Sequence, residues 1–222
     1  MKMKTCAVIV AAGSSTRMGF NKITYDFGGE TPMSLCVNAM LGAEIDEIVL
    51  VVSDKTVDLA KSLKRLHDDI KIVYGGSHRG ESVFNGLKAT DSDIVLIHDC
   101  ARCLITSDIV KKSVADIIEF GSSIVGINDI DTTRSKENHT LYNRDDLFLT
   151  QTPQGFFKNE ILECYEKANK DLIEATDDCA IYEKYSGKKA HFTQGSVINQ
   201  KLTRQEDIAF FDAIIKSYKE KK

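Results

Sequence analysis

Residues 11–22 read AAGSSTRMGFNK and follow directly on the apolar run CAVIV at 6–10. Ala11, Ala12, Gly13, Ser14 and Ser15 carry almost no side-chain bulk, so a ligand can approach the backbone closely and meet its N–H groups. Arg17 and Lys22 then add positive charge. A guanidinium grips phosphate oxygens bidentately and an ammonium acts as a point charge, so the combination suits a polyphosphate. No Gly-Lys-Ser/Thr closes the loop and no G-x-G-x-x-G is present, so it is neither of the common phosphate-binding motifs. Taken alone it is a small-residue turn with two surface cations, and the rest of the chain must decide.

Further candidates lie downstream. Asp99 ends the apolar stretch IVLIH, where a carboxylate can help place Mg²⁺ or a ribose hydroxyl. His98 reads as structural, because the strand runs through it and a single histidine is not a metal site. Thr176 reads as the cap of a helix whose first turn carries Asp177 and Asp178, and carboxylates there suit the helix dipole. Thr203 and Glu206 have capping-box spacing, and Lys201 lies two residues before them, able to point into a cleft. Cys100 and Cys103 form a C-x-x-C with no second pair at zinc spacing and read as bystander thiols.

These residues need a frame. Apolar runs at 47–53, 70–76, 93–99 and 122–127 alternate with helical spacing at 56–66, 79–89 and 107–120, where Ser107 is a plausible cap. Such alternation means βαβ units: one Rossmann-like α/β domain over 1–222, with a mostly parallel twisted sheet flanked by helices. Ligands on such sheets gather at the carboxyl ends of the strands. That places the loop after Val10, the stretch from Gly75-Gly76, His98-Asp99 and the stretch after Ile127 on one edge. Helices are expected again near 157–170, 177–185 and beyond Thr203, with a strand near 189–193. The polar stretch 131–156 breaks the rhythm and reads as an extended hairpin arm projecting from the sheet, over about 131–152. A hairpin polar on both faces is marginal alone. It also carries Leu141, Leu147, Phe148 and Leu149, so it is expected to pack on a second subunit in a homodimer.

Composition excludes other classes. With 29 cations against 33 anions the net charge is −4, which gives no electrostatic footprint for nucleic acid. No apolar run reaches membrane-spanning length, no cleavable leader is apparent, and six scattered cysteines suit a reduced, cytoplasmic protein.

Seven segments, in order, are AAGSSTRMGFNK (11–22), GGSHRGESVFNGL (75–87), HDCAR (98–102), DTTR (131–134), NRDDLFLTQTPQGF (143–156), TDD (176–178) and NQKLTRQED (199–207). Together they resemble the 2-C-methyl-D-erythritol 4-phosphate cytidylyltransferases of non-mevalonate isoprenoid synthesis and their relatives, the ribitol-5-phosphate cytidylyltransferases. The resemblance implies that Ala12 and Gly13 contact the nucleotide and that Arg17 and Lys22 hold the CTP phosphates. It puts Gly76, Ser77 and Ser82 around the cytosine, and Asp99 at the ribose and metal side with Arg102 nearby. Thr132, Arg144, Thr152, Thr176 and Lys201 would line the sugar-phosphate site, with Lys201 also reaching the α-phosphate. Asn21 and Cys103 stand where that family usually has prolines, Cys100 replaces an alanine, and 23–36 match poorly.

The chemistry agrees with this residue set. A substrate phosphate is already ionised at neutral pH, so attack on the α-phosphorus of CTP needs no general base. It needs charge relief from cations and Mg²⁺. Methylerythritol phosphate is the favoured acceptor, with ribitol 5-phosphate or another polyol phosphate as the alternative. A nucleotide-binding protein without turnover would have no use for Arg17, Lys22 and Lys201 aimed at a transition state.

Overall fold

The computed structural model describes residues 2–13, 18–173 and 177–220. Its elements run β1 (Thr5–Val10), α1 (Pro32–Gly42), β2 (Glu47–Val52), α2 (Val57–Lys64), β3 (Ile70–Tyr74), α3 (Arg79–Lys88), β4 (Ile94–Asp99), α4 (Ser107–Phe120), β5 (Ser122–Asn128), β6 (Phe148–Phe157), α5 (Lys158–Lys170), α6 (Asp178–Ser186), β7 (Phe192–Gln194) and α7 (Asp207–Lys219). The strands form one sheet in the order β3-β2-β1-β4-β6-β5-β7. All neighbours pair in parallel except β6, which runs antiparallel between β4 and β5.

β1, β2 and β4 are apolar on both faces because both faces are covered. Ala7, Ile9, Leu50 and Leu96 pack with α1, α4 and α7, whereas Val8, Val51 and Ile97 pack with α3, α5 and α6. Gly86 lets α3 lie close on the sheet: a Cβ there would sit 2.4 Å from Val8 Cγ1.

The chain lays β2 and β3 on one side of β1 and then returns to place β4 on the other. The strand order therefore reverses between β1 and β4, which opens a crevice at their carboxyl ends. Ladder bonds continue past the strands and hold the loops there. Ala11 N donates to Val51 O at 2.8 Å, Gly75 N to Val52 O at 2.8 Å, and Cys100 N to Val10 O at 3.1 Å.

Several expectations are corrected. Helix α1 falls in the stretch assigned no element, although Thr31-Pro32 marks its start: Thr31 and Ser34 form a capping box and Pro32 opens the helix. The extended hairpin is absent. Residues 131–147 make a loop with a single isolated bridge, Arg134 to Leu141, and a short 3₁₀ turn at Arg144–Asp146. Residues 148–157 belong to the central sheet as β6. Three caps shift by one residue or side chain. Thr106 rather than Ser107 caps α4, and Asp177 caps α6 through Ala180 N. Asp207, not Glu206, accepts from Thr203 and Arg204 before α7.

Candidate active site

The crevice is a cleft of about 410 Å³. Of the residues picked out from the sequence, Ala12, Gly13, Lys22, Gly76, Ser77, Ser82, Asp99 and Lys201 line it. Arg17 and Thr176 lie outside the described residues. The stretch after Ile127 does not reach the cleft.

The glycine loop after β3 is pinned by the first turn of α3. Gly76 N donates to Ser82 Oγ at 3.0 Å, and Glu81 Oε2 accepts from both Ser77 N at 2.6 Å and Ser77 Oγ at 2.7 Å. A Cβ on Gly76 would lie 2.2 Å from Glu81 Cγ, and one on Gly75 would lie 2.6 Å from Ala12 Cβ. Two loops thus meet closely, and their backbones form a narrow wall.

Lys22 sits in a 3₁₀ turn capped by Asn21, whose side chain accepts from Ile23 N. That hydrogen bond orders the turn where a proline was expected. Lys22 Nζ donates to Leu202 O at 2.7 Å, across the mouth of the cleft.

Asp99 is the hub. Its Oδ2 accepts from Lys201 Nζ at 2.6 Å and its Oδ1 from Arg79 Nε at 3.0 Å. Burial by itself would raise this carboxyl, but Arg79 and Lys201 outweigh it and hold Asp99 well below the ordinary carboxylate range. Arg79 in turn places Nη1 and Nη2 on the two oxygens of Asp178, at 3.0 and 2.8 Å. Burial would lower the guanidinium, and the two aspartates more than reverse that.

Arg79 and Asp178 were not among the expected site residues. A signal existed for the first: an arginine opening a helix works against the dipole, which favours acids there, so it needs an anionic partner. Asp178 reads as a plain first-turn acid, yet it is fully buried.

Arg102 lies near Asp99, as expected, and Thr152 bonds the Asp99 backbone. Neither lines the cleft; both brace it from behind. Arg102 donates to Asn199 O at 3.0 Å and Thr150 O at 3.2 Å, and Leu202 N bonds Ala101 O at 2.8 Å, so the loop carrying Lys201 is tied to the end of β4. Thr152 is buried, and its hydroxyl accepts from Asp99 N at 3.1 Å and meets His98 Nδ1 at 3.0 Å. His98 Nε2 lies 3.2 Å from Arg102 O, a pure acceptor, so Nε2 carries the proton and Nδ1 accepts from Thr152. Burial pushes His98 down to about 4, so it is neutral and structural, as read from the sequence. Burial raises the Cys103 thiol far above its usual range, and Cys100 is fully buried, so the C-x-x-C presents no accessible thiol.

Thr132 and Arg144 are far less constrained. Both are exposed on the 129–147 loop and away from the cleft of their own chain. Among the described residues no three His, Cys, Asp or Glu side chains gather as a metal site, and no helix is long and apolar enough to cross a membrane.

Residues 5–217 match the family model described as 2-C-methyl-D-erythritol 4-phosphate cytidylyltransferase. The chain belongs to that family. It is 36% identical over 224 residues to the protein of that name from Clostridium botulinum (strain 657 / Type Ba4), covering 96% of this chain and 97% of the relative. It is 38% identical over 231 residues to the one from Clostridium novyi (strain NT), covering 97% and 98%. The crystal structure of 4-diphosphocytidyl-2C-methyl-D-erythritol synthase from Anaerococcus prevotii superposes with a TM-score of 0.86 at 30% identity, covering 96% of this chain and 99% of that one.

Proposed function

We propose that the protein transfers the cytidylyl group of CTP to the phosphate of 2-C-methyl-D-erythritol 4-phosphate and releases pyrophosphate. The observation that carries this reading is the convergence of Lys22, Lys201 and Asp99 on a backbone-walled cleft, in a chain of this family. An oxygen of the acceptor phosphate attacks the α-phosphorus, the bond to the β-phosphate oxygen breaks, and pyrophosphate leaves. Lys22 and Lys201 offset the charge that builds on the phosphoryl oxygens; single preorganised donors of this kind are worth about 2.7–4 kcal/mol of barrier. The reading also gives Arg17 a phosphate and Thr176 the sugar phosphate. Asp99 together with nucleotide phosphates fits the one or two carboxylates that Mg²⁺ requires, and the ion would supply further charge neutralisation there. With substrates that are free nucleotide and sugar phosphates, the setting is cytoplasmic.

The second half of the site comes from a second copy of the chain. Leu141 and Tyr142, on the loop that holds Thr132 and Arg144, are 56% and 46% exposed, and Leu149, at the start of β6, is 53% exposed, so apolar side chains stand uncovered on and just after that loop. A two-fold dimer would cover them on both copies and bring Arg144 to the neighbour's cleft.

Pyrophosphate release from CTP tests the reaction, with methylerythritol phosphate, ribitol 5-phosphate and no acceptor run side by side, each with and without chelator. Turnover with methylerythritol phosphate that chelation abolishes is expected; turnover with ribitol 5-phosphate alone would replace the acceptor. Mixing Arg144→Ala with Lys22→Ala subunits tests the shared site. Recovery toward about a quarter of wild-type activity after subunit exchange is expected, since half the dimers are mixed and each has one intact site. No recovery would confine the loop to its own chain.

A further inference from the structure

Four charged groups stand in line from the cleft into the protein: Lys201, Asp99, Arg79 and Asp178. The last is shut off from the cleft. Asp178 is 0% exposed, and its Oδ1 also accepts the Tyr165 hydroxyl, which is itself 1% exposed. Gln154, likewise buried, accepts from Asp178 N and Cys179 N at 2.9 Å each, so the backbone that carries the carboxylate is fixed from β6. Arg79 spends its terminal fork on Asp178 and leaves only Nε for Asp99.

That division matters. An arginine prefers to take a carboxylate with its fork, using two parallel N–H bonds. If nothing behind it held the fork, Arg79 could turn it onto Asp99 and compete for the oxygen that Lys201 uses, or swing its charge into the cleft. With the fork occupied, Asp99 keeps Oδ2 for Lys201, and the ammonium is aimed by a carboxylate that cannot itself rotate.

We propose that Asp178, supported by Tyr165, is a positioning residue for phosphoryl transfer: it acts through Arg79 to fix Asp99 and so the place of the Lys201 ammonium. This rests on the assignment of Asp99 and Lys201 to the transfer site.

A double-mutant cycle read by single-turnover pyrophosphate release tests it. Asp178→Asn keeps the shape and removes the charge; it should lower kcat/KM by tenfold or more, toward the ~100-fold that a misplacement of about 1 Å can cost. Tyr165→Phe removes only the supporting hydroxyl and should cost about fivefold. In an Arg79→Gln background both changes should matter by less than about twofold, the spread of non-interacting sites. If Asp178→Asn fails to fold, the Tyr165→Phe cycle decides. Equal factors in the two backgrounds would make Asp178 and Tyr165 merely structural and overturn the proposal, as would wild-type kcat/KM in a folded Asp178→Asn variant. A wild-type protein without pyrophosphate release would instead overturn the functional reading itself.

Discussion

Lys201 and Arg144 are both cations on loops, and the fold treats them differently. The Lys201 ammonium is 2.6 Å from Asp99, and its loop is tied down through Leu202 N and the Asn199 carbonyl. Arg144 meets the Ile130 carbonyl at 3.5 Å and the Asp145 carboxylate at 4.0 Å, with its side chain 62% exposed. The cleft is organised by bonds that span the sequence and are anchored in the sheet. The 129–147 loop is bonded largely within itself, and Leu141 and Tyr142 on it are exposed. One region holds its geometry within a single chain. The other leaves apolar and cationic side chains exposed, which is where the proposed two-subunit site makes its demand.

Three experiments would break or sharpen that contrast. The largest effect is expected from Lys201→Ala, which should lower kcat by roughly 10²–10³, the cost of removing one preorganised electrostatic donor. Steady-state turnover with saturating CTP checks it, and near-normal kcat would mean that the clamp on Asp99 serves the fold rather than the reaction.

Next comes the buried support behind Asp99. His98 stays neutral down to about pH 4 in the folded protein, whereas in the unfolded chain it takes a proton near about 6.5. Its contribution to stability is therefore complete above about pH 6.5 and is lost as pH falls toward about 4, by up to roughly 3 kcal/mol. Urea midpoints measured across that range should drop accordingly, and His98→Gln should flatten this part of the curve. A wild-type curve that is level from pH 7 to about 4.5 would contradict the buried, neutral assignment.

The smallest effect is a stability change. Arg144→Ala should leave the unfolding free energy within about 0.5 kcal/mol of wild type, as for ordinary surface substitutions, while activity collapses. A clear loss of stability would show that Arg144 is built into the chain's own packing.

The sheet was legible in the sequence because it is local in its signals. Short β-branched runs such as EIVLVV and IVLIH, each followed by a helical period, admit little besides parallel βαβ units. The small-residue loop at 11–13, the glycine pair at 75–76 and Asp99 then fall on one edge by topology alone, and they do meet there. Lys22 and Lys201 were readable as cations placed outside the apolar pattern.

What the sequence could not disclose is polar and non-local. Gln151, Thr152 and Gln154 make residues 148–157 look like surface, yet they are buried in the sheet because Asn199, His98 and the start of α6 satisfy them. A polar strand is stable inside only when partners distant in sequence arrive to bond it, and no local pattern reports that arrival. The same holds for Arg79 and Asp178, 99 residues apart and bonded through both terminal guanidinium nitrogens. By itself the sequence determined the β-α alternation from β2 to β5, the sheet edge where the candidate residues gather and the two lysines that reach it. Only the tertiary structure decided which carboxylates hold those cations, because an ion pair's geometry depends on where two distant backbones are brought together.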